Sequence, residues 1–342
     1  MANDRLHTWF RRLALFATAF ALVVVILGAY TRLSDAGLGC PDWPGCYGHL
    51  GVPDEEHEVL RANAAFPERP VEGHKAWKEM VHRYFAGTLG LLIAGLAVIA
   101  VMNRRHARQP VLLPLLLVGL VVFQALLGMW TVTLQLKPLV VMGHLLGGFA
   151  TLTLLWWLAI GGRERHGAPT RARRFLPWAT LGVVILVGQI ALGGWTSSNY
   201  AALACPDFPQ CQARWLPDMD FDEAFVLWRG LGVNYEFGVL DHPARTAIHF
   251  THRVGAVVTA AYLGVLGLVI LLQGAGFLRL LGAALLGVLT LQVLLGVSNI
   301  VFQLPLPVAV AHNAVAAILL LTLVTLLATI LSAGPSHTEQ RG

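Results

Sequence analysis

The chain has 342 residues, 56% of them hydrophobic and 13% charged, with a mean hydropathy of +0.65. That composition excludes an ordinary soluble domain and indicates an integral membrane protein. The formal net charge of +5 does not mark a nucleic-acid binder, because its basic residues follow a membrane-topology pattern instead.

A bilayer core takes about 20 apolar residues per helix. Eight runs meet that length, near 13–31, 82–102, 111–133, 140–160, 176–196, 250–272, 277–300 and 308–332. Stretches such as VLLPLLLVGLVVFQALLG lack the alternation of a barrel strand, so helices are expected. The first run is too long to read as a cleaved signal peptide. Arg5, Arg11 and Arg12 precede the first span. Arg104, Arg105 and Arg108 follow the second, and Arg163, Arg165, Arg171, Arg173 and Arg174 follow the fourth. With Arg279 and Arg341, one side of the membrane carries 13 basic residues against Asp4, Glu164 and Glu339. The positive-inside rule then predicts cytoplasmic termini.

The loops near 33–78 and 197–248 fall on the outer side, with DEEHEVLRANAAF and DEAFVLWRGLG as candidate short helices. They hold all four cysteines, as Cys40/Cys46 and Cys205/Cys211, each inside a CPDxPxC stretch. An oxidising compartment favours two local disulfides, structural or redox-exchanging. A metal site is the competing reading, but the pairs sit in separate loops without paired histidines.

The chain repeats itself. LGCPDWPGC (38–46) lies over LACPDFPQC (203–211), with Gly28 over Gly193. FQALLGMWTVTLQL (123–136) lies over LQVLLGVSNIVFQL (291–304), with Gln124 over Gln292 and Gly128 over Gly296. His82-Arg83 lies over His252-Arg253. The expected architecture is an all-α integral membrane protein of eight transmembrane helices, arranged as two pseudo-twofold-related four-helix bundles. The bundles take 1–162 and 176–335, joined by a basic cytoplasmic linker at 163–175. An even number of spans per unit makes the repeat parallel, unlike the inverted repeats of many transporters.

Spans two, four, six and eight each carry a histidine toward the outer face: His82, His144, His252 and His312. Two imidazoles at similar depth in one bundle can ligate a haem iron from both faces. A single such histidine is ordinarily a polar anchor; four at matched positions are hard to explain that way. Glu79 stands three residues before His82, whereas His249 stands three before His252. A reaction site has use for a carboxylate and an electron-carrying site does not. The plain alternative is that Glu79 pairs with Arg83, and a His₂-carboxylate metal site remains open for the first half. Arg32, Arg83 and Arg253 are candidates for haem propionates, with interfacial snorkelling as the alternative. Gly87, Gly143, Gly147, Gly148 and Gly255 flank the histidines and permit close approach of a macrocycle or a neighbouring helix.

TRLSDAGLGCPDWPGC (31–46), EMVHR (79–83), VMGHLLGG (141–148), CPDFPQC (205–211), HFTHR (249–253) and AHNAVA (311–316), in this order, resemble the haem A synthase family. The resemblance covers nearly the whole chain. It implies oxidation of the C8 methyl of haem O to a formyl group, through an alcohol and a hydrated aldehyde, to make haem A for terminal oxidases. It implies that His82 and His144 hold the substrate haem O, that His252 and His312 hold a haem b iron, and that Glu79 is catalytic. It further implies a bacterial-type cell membrane, a haem O synthase as supplier and an unidentified electron partner, and it leaves self-association open. HFTHR departs from the pattern by its extra imidazole, His249, beside His252. A dihaem electron carrier and a haem transporter or chaperone are the rival readings; the first leaves Glu79 unexplained and the second predicts less asymmetry.

Overall fold

The computed structural model describes residues 2–161 and 170–333, with the side chains of Ala2 and Asn3 left undescribed. Ten α-helices occur among the described residues: α1 Ala2–Leu33, α2 Glu56–Ala65, α3 Gly73–Met102, α4 Leu112–Thr133, α5 Pro138–Ile160, α6 Leu176–Ser198, α7 Phe221–Ala224, α8 His242–Gln273, α9 Phe277–Val301 and α10 Leu306–Leu331. A 3₁₀ turn, Thr170–Phe175, leads into α6. Most of the expected linker, with Arg163, Glu164 and Arg165, lies outside the described residues, as do Glu339 and Arg341.

Eight of these helices are long and apolar enough to cross a membrane. The all-helical fold expected from the apolar runs is therefore present, and the boundaries differ in one instructive way. The second and sixth spans start at Gly73 and His242, eight or nine residues earlier than their apolar runs. The extensions, GHKAWKEMV and HPARTAIH, are too polar to register as bilayer-embedded, yet they continue the helix because one face of each packs on the long loops that hold the cysteines. Ala76 and Met80 join Cys40, Cys46, Tyr47, Val52 and Ala62 in one small core. Ala244, Ala247 and Ile248 join Trp195, Ala201, Ala224 and Leu240 in another. Glu79 and His82 thus stand about two turns inside α3 rather than at its start.

Helices α1, α3, α4 and α5 pack as one ring, α1 on α3 and α5, α4 on α3 and α5; α6, α8, α9 and α10 pack in the corresponding way. The rings meet through α1 on α10, α5 on α6 and α5 on α10. Exchanging each helix for its repeat partner leaves this set of contacts unchanged, which is compatible with a two-fold relation. The backbone repeats too. Gln135 and Leu136 adopt φ of 48° and 60° between α4 and α5, and Gln303 and Leu304 adopt 55° and 61° between α9 and α10. One buried apolar core runs through both rings. The most enclosed span among the described residues is α10, with 56% of its apolar window buried against 22–28% for the others.

Candidate functional site

The two CPDxPxC loops fold alike. Cys40–Cys46 and Cys205–Cys211 are disulfide-bonded, with Cα atoms 4.8 and 4.6 Å apart, and Trp43–Pro44 and Phe208–Pro209 are cis. The aspartate of each motif closes its loop. Asp42 accepts the N–H groups of Tyr47 and Gly48 at 2.6 and 2.7 Å, and Asp207 those of Gln212 and Ala213 at 2.6 and 2.8 Å. These bonds hold the Asp207 carboxyl below its usual range, the Ala213 N–H contributing most.

Under each loop lies the residue pair that distinguishes the halves. Glu79 is 5% exposed; its Oε2 accepts the Cys40 N–H at 2.9 Å and its Oε1 accepts from Arg83 at 2.5 Å. His249 repeats both contacts. Its Nδ1 accepts the Cys205 N–H at 3.2 Å, and Arg253 Nε stands 3.2 Å from its Nε2. A neutral imidazole has only one acceptor nitrogen, so His249 cannot satisfy both donors at once, whereas a carboxylate can. His249 is buried against the loop.

Arg83 and Arg253 clamp these loops. Arg83 donates to the carbonyls of Asp42 at 3.0 Å, Pro44 at 3.3 Å and Gly45. Arg253 donates to those of Cys205, Asp207 and Gln210 at 2.7–2.8 Å. Arg32 reaches across to the second ring, donating to Tyr200 Oη at 2.9 Å and the Ser197 carbonyl at 2.7 Å. The three propionate candidates are thus largely occupied by protein acceptors, although the buried Arg32 Nε has no partner.

The four histidines share a construction that sequence reasoning missed. Each imidazole edge lies against a glycine of the preceding spanning helix. A Cβ built on Gly28 would stand 3.0 Å from His82 Cε1, one on Gly128 3.5 Å from His144 Cε1, and ones on Gly193 and Gly296 each 3.2 Å from His252 and His312 Cε1. The repeat alignment pairs these glycines, Gly28 with Gly193 and Gly128 with Gly296, but spacing alone cannot say what faces them. The glycines flagged beside the histidines do other work: Gly147 and Gly255 admit the side chains of Gln124 and Gln189, and nothing lies within 4 Å of a Cβ on Gly87.

The rings of His82 and His144 are 6.4 Å apart at their centroids and nearly perpendicular, at 86°. Two metal–imidazole bonds of about 2 Å, plus the two ring radii, add up to close to this separation. The Nδ1 atoms of both rings are buried without partners, while the residues keep accessible surface deep inside a helical ring. His312 Nδ1 is likewise unpartnered, as are the nearby Asn299 Oδ1 and Asn313 Oδ1. The Gln189 amide lies 3.1 Å from His252 Nδ1 and the Gln292 amide 3.3 Å from His312 Nε2. Among the described residues no group of three or more His, Cys, Asp or Glu could hold a free metal ion. A His₂-carboxylate centre on Glu79 is therefore disfavoured. Paired imidazoles cradled by glycine suit a flat group that brings its own iron.

Residues 11–324 match the family described as cytochrome oxidase assembly protein. The chain belongs to the haem A synthase family. It is 49% identical to the heme A synthase of Shewanella oneidensis over 93% of this chain and 95% of that protein. It is 30% identical to the heme A synthase of Caulobacter vibrioides over 89% and 90%, and 26% identical to that of Bacillus licheniformis over 73% and 74%.

Proposed function

We propose that this protein is the haem A synthase of a bacterial-type cell membrane, converting the C8 methyl group of haem O to a formyl group. The first four spanning helices hold the substrate between His82 and His144, and the last four hold haem b between His252 and His312. The observation that carries this division is a chemical difference between matched positions: a carboxylate, Glu79, under the first cysteine loop, and an imidazole, His249, under the second.

Haem b, when bound, supplies a redox centre inside the protein. The protein's residues do the rest. Gly28 and Gly128 leave room for the two imidazoles that fix the substrate's plane. Arg83 and the Cys40 N–H hold the Glu79 carboxyl oriented in a buried setting. With two bonds accepted, the carboxylate keeps lone-pair capacity for a proton from attacking water. Its negative charge also stabilises positive charge developing at the methyl carbon. Both termini lie in the cytoplasm and the disulfide loops lie outside, in keeping with the arginine distribution. A haem O synthase supplies the substrate, and a separate redox partner takes up the electrons. The test is to express the chain beside a haem O source and separate the extracted haems by chromatography. Haem A that appears only with this chain supports the reading, and haem O unchanged in its presence overturns it.

A further inference from the structure

The two outer loops are unequal. Residues 225–238 leave the second ring and cross to the α4–α5 turn of the first. The Tyr235 N–H donates to the Gln135 carbonyl at 3.0 Å. The Lys137 ammonium donates to the Gly230 carbonyl and lies 3.1 Å from the centre of the Trp228 ring. Arg69 and Glu236 form a two-point ion pair at 2.9 and 3.3 Å. This strap delivers the Tyr235 ring among Leu38, Val132, Leu136 and Val141. Tyr235 is 2% exposed, and its hydroxyl is buried without a hydrogen-bond partner. Buried hydroxyls in folded proteins are ordinarily paired, so such a group marks a missing partner.

Its location says what the partner is. Val132 lies one turn beyond Gly128 on α4, and Val141 one turn before His144 on α5. Gly128 and His144 face each other. The Tyr235 ring therefore stands about one turn, roughly 5 Å, outward of His144. A porphyrin held there must direct its carboxylates to this end, because they cannot be left in hydrocarbon while its apolar tail can. Lys137, also 2% exposed, has no carboxylate partner among the described residues. It sets a buried positive charge at the same end of the pocket. The repeat puts Pro305 in its place in the second ring, so this arrangement serves the first site alone.

We propose that Tyr235 donates a hydrogen bond to a carboxylate at the outer edge of the substrate porphyrin, so that the second half of the chain completes the first half's pocket. This rests on the substrate site assigned above to His82 and His144. The test is titration of the full-length, haem b-loaded protein with haem O and with haem O dimethyl ester, comparing wild type, Tyr235→Phe and His82→Ala. Wild type should bind the free acid more tightly than the ester. Tyr235→Phe should weaken the acid by about tenfold to a hundredfold, the worth of a hydrogen bond to a charged group, leaving the ester and the haem b band unchanged. Equal weakening of acid and ester would reduce Tyr235 to strap packing and overturn the proposal, as would no change in either. Wild-type protein that binds both ligands equally overturns it whatever the variant does. If His82→Ala binds haem O as wild type does, the substrate-site assignment falls instead, and this proposal with it.

Discussion

Gly28→Ala adds one methyl group to α1 and directs it at one imidazole. The new Cβ would stand 3.0 Å from His82 Cε1 and 3.4 Å from its Nε2. Carbon atoms rest at about 3.5–4.0 Å, so the ring or the helix must give way by roughly half an ångström or more. Overpacking of this size costs about 1–3 kcal/mol, which a multi-helix core absorbs without unfolding. The damage to catalysis should be larger than that to stability, because a misplacement of about 1 Å costs around 10²-fold. Haem A formation should fall roughly tenfold to a hundredfold, with haem O accumulating and haem b content unchanged. Gly87→Ala is the control: it lies on the same helix as His82, and nothing stands within 4 Å of its added Cβ. It should leave activity unchanged. Gly193→Ala, at 3.2 Å from His252 Cε1, should do the converse and disturb the haem b spectrum first. Haem extraction, redox difference spectra and thermal melts of the four proteins decide the matter. Normal haem A formation by Gly28→Ala, or loss of haem b before loss of activity, would refute the cradle.

Glu79→Gln keeps an acceptor for the Cys40 N–H but removes the charge; haem A formation should drop by about 10²–10³-fold with haem b retained, and Glu79→Asp should recover part of it. Near-normal activity in Glu79→Gln would return this residue to a simple partner of Arg83. Replacing Cys40 and Cys46 by serine should cost the outer cap about 2–4 kcal/mol and slacken the carbonyls that hold Arg83, lowering activity more than haem b occupancy; unchanged turnover would show that the crosslink does not support Glu79. The second loop should be acid-sensitive. The backbone N–H groups on Asp207 hold its carboxyl below the ordinary carboxylate range, so its contribution is fully present above about pH 4 and disappears as pH falls through the lower folded value. Hydrogen exchange at Gln212 and Ala213 should therefore accelerate only below about pH 4. Asp207→Asn should remove that dependence, and a loop equally protected at every pH would contradict it.

The eight spans were legible because 20 apolar residues in a row have few explanations in water. The cysteine pairs were legible because two matched motifs of six-residue separation fall on one side of the membrane. The outward extensions of α3 and α8 were not, since their polar residues are stabilised by packing on loops whose shape spacing does not disclose. Arg83 and Arg253 stood out as cations beside histidines, yet their carbonyl partners lie 38 to 48 residues away in sequence. The glycine cradles were half visible: the repeat aligned Gly28 with Gly193 and Gly128 with Gly296 without saying that an imidazole faces each. The strap was invisible, because Lys137 meets Gly230 and Arg69 meets Glu236 at separations of 93 and 167 residues, through contacts without a counterpart in the repeat.

The central claim is that two similar histidine pairs do different work. The measurement that tests it most directly sets His82→Ala beside His252→Ala, reading bound haem b by redox difference spectra and haem O and haem A by chromatography. His82→Ala should keep the low-spin haem b signal and make no haem A, while His252→Ala should lose the haem b signal itself. Equal loss of haem b from both variants, or haem A made at the normal rate by His82→Ala, would contradict the division of roles.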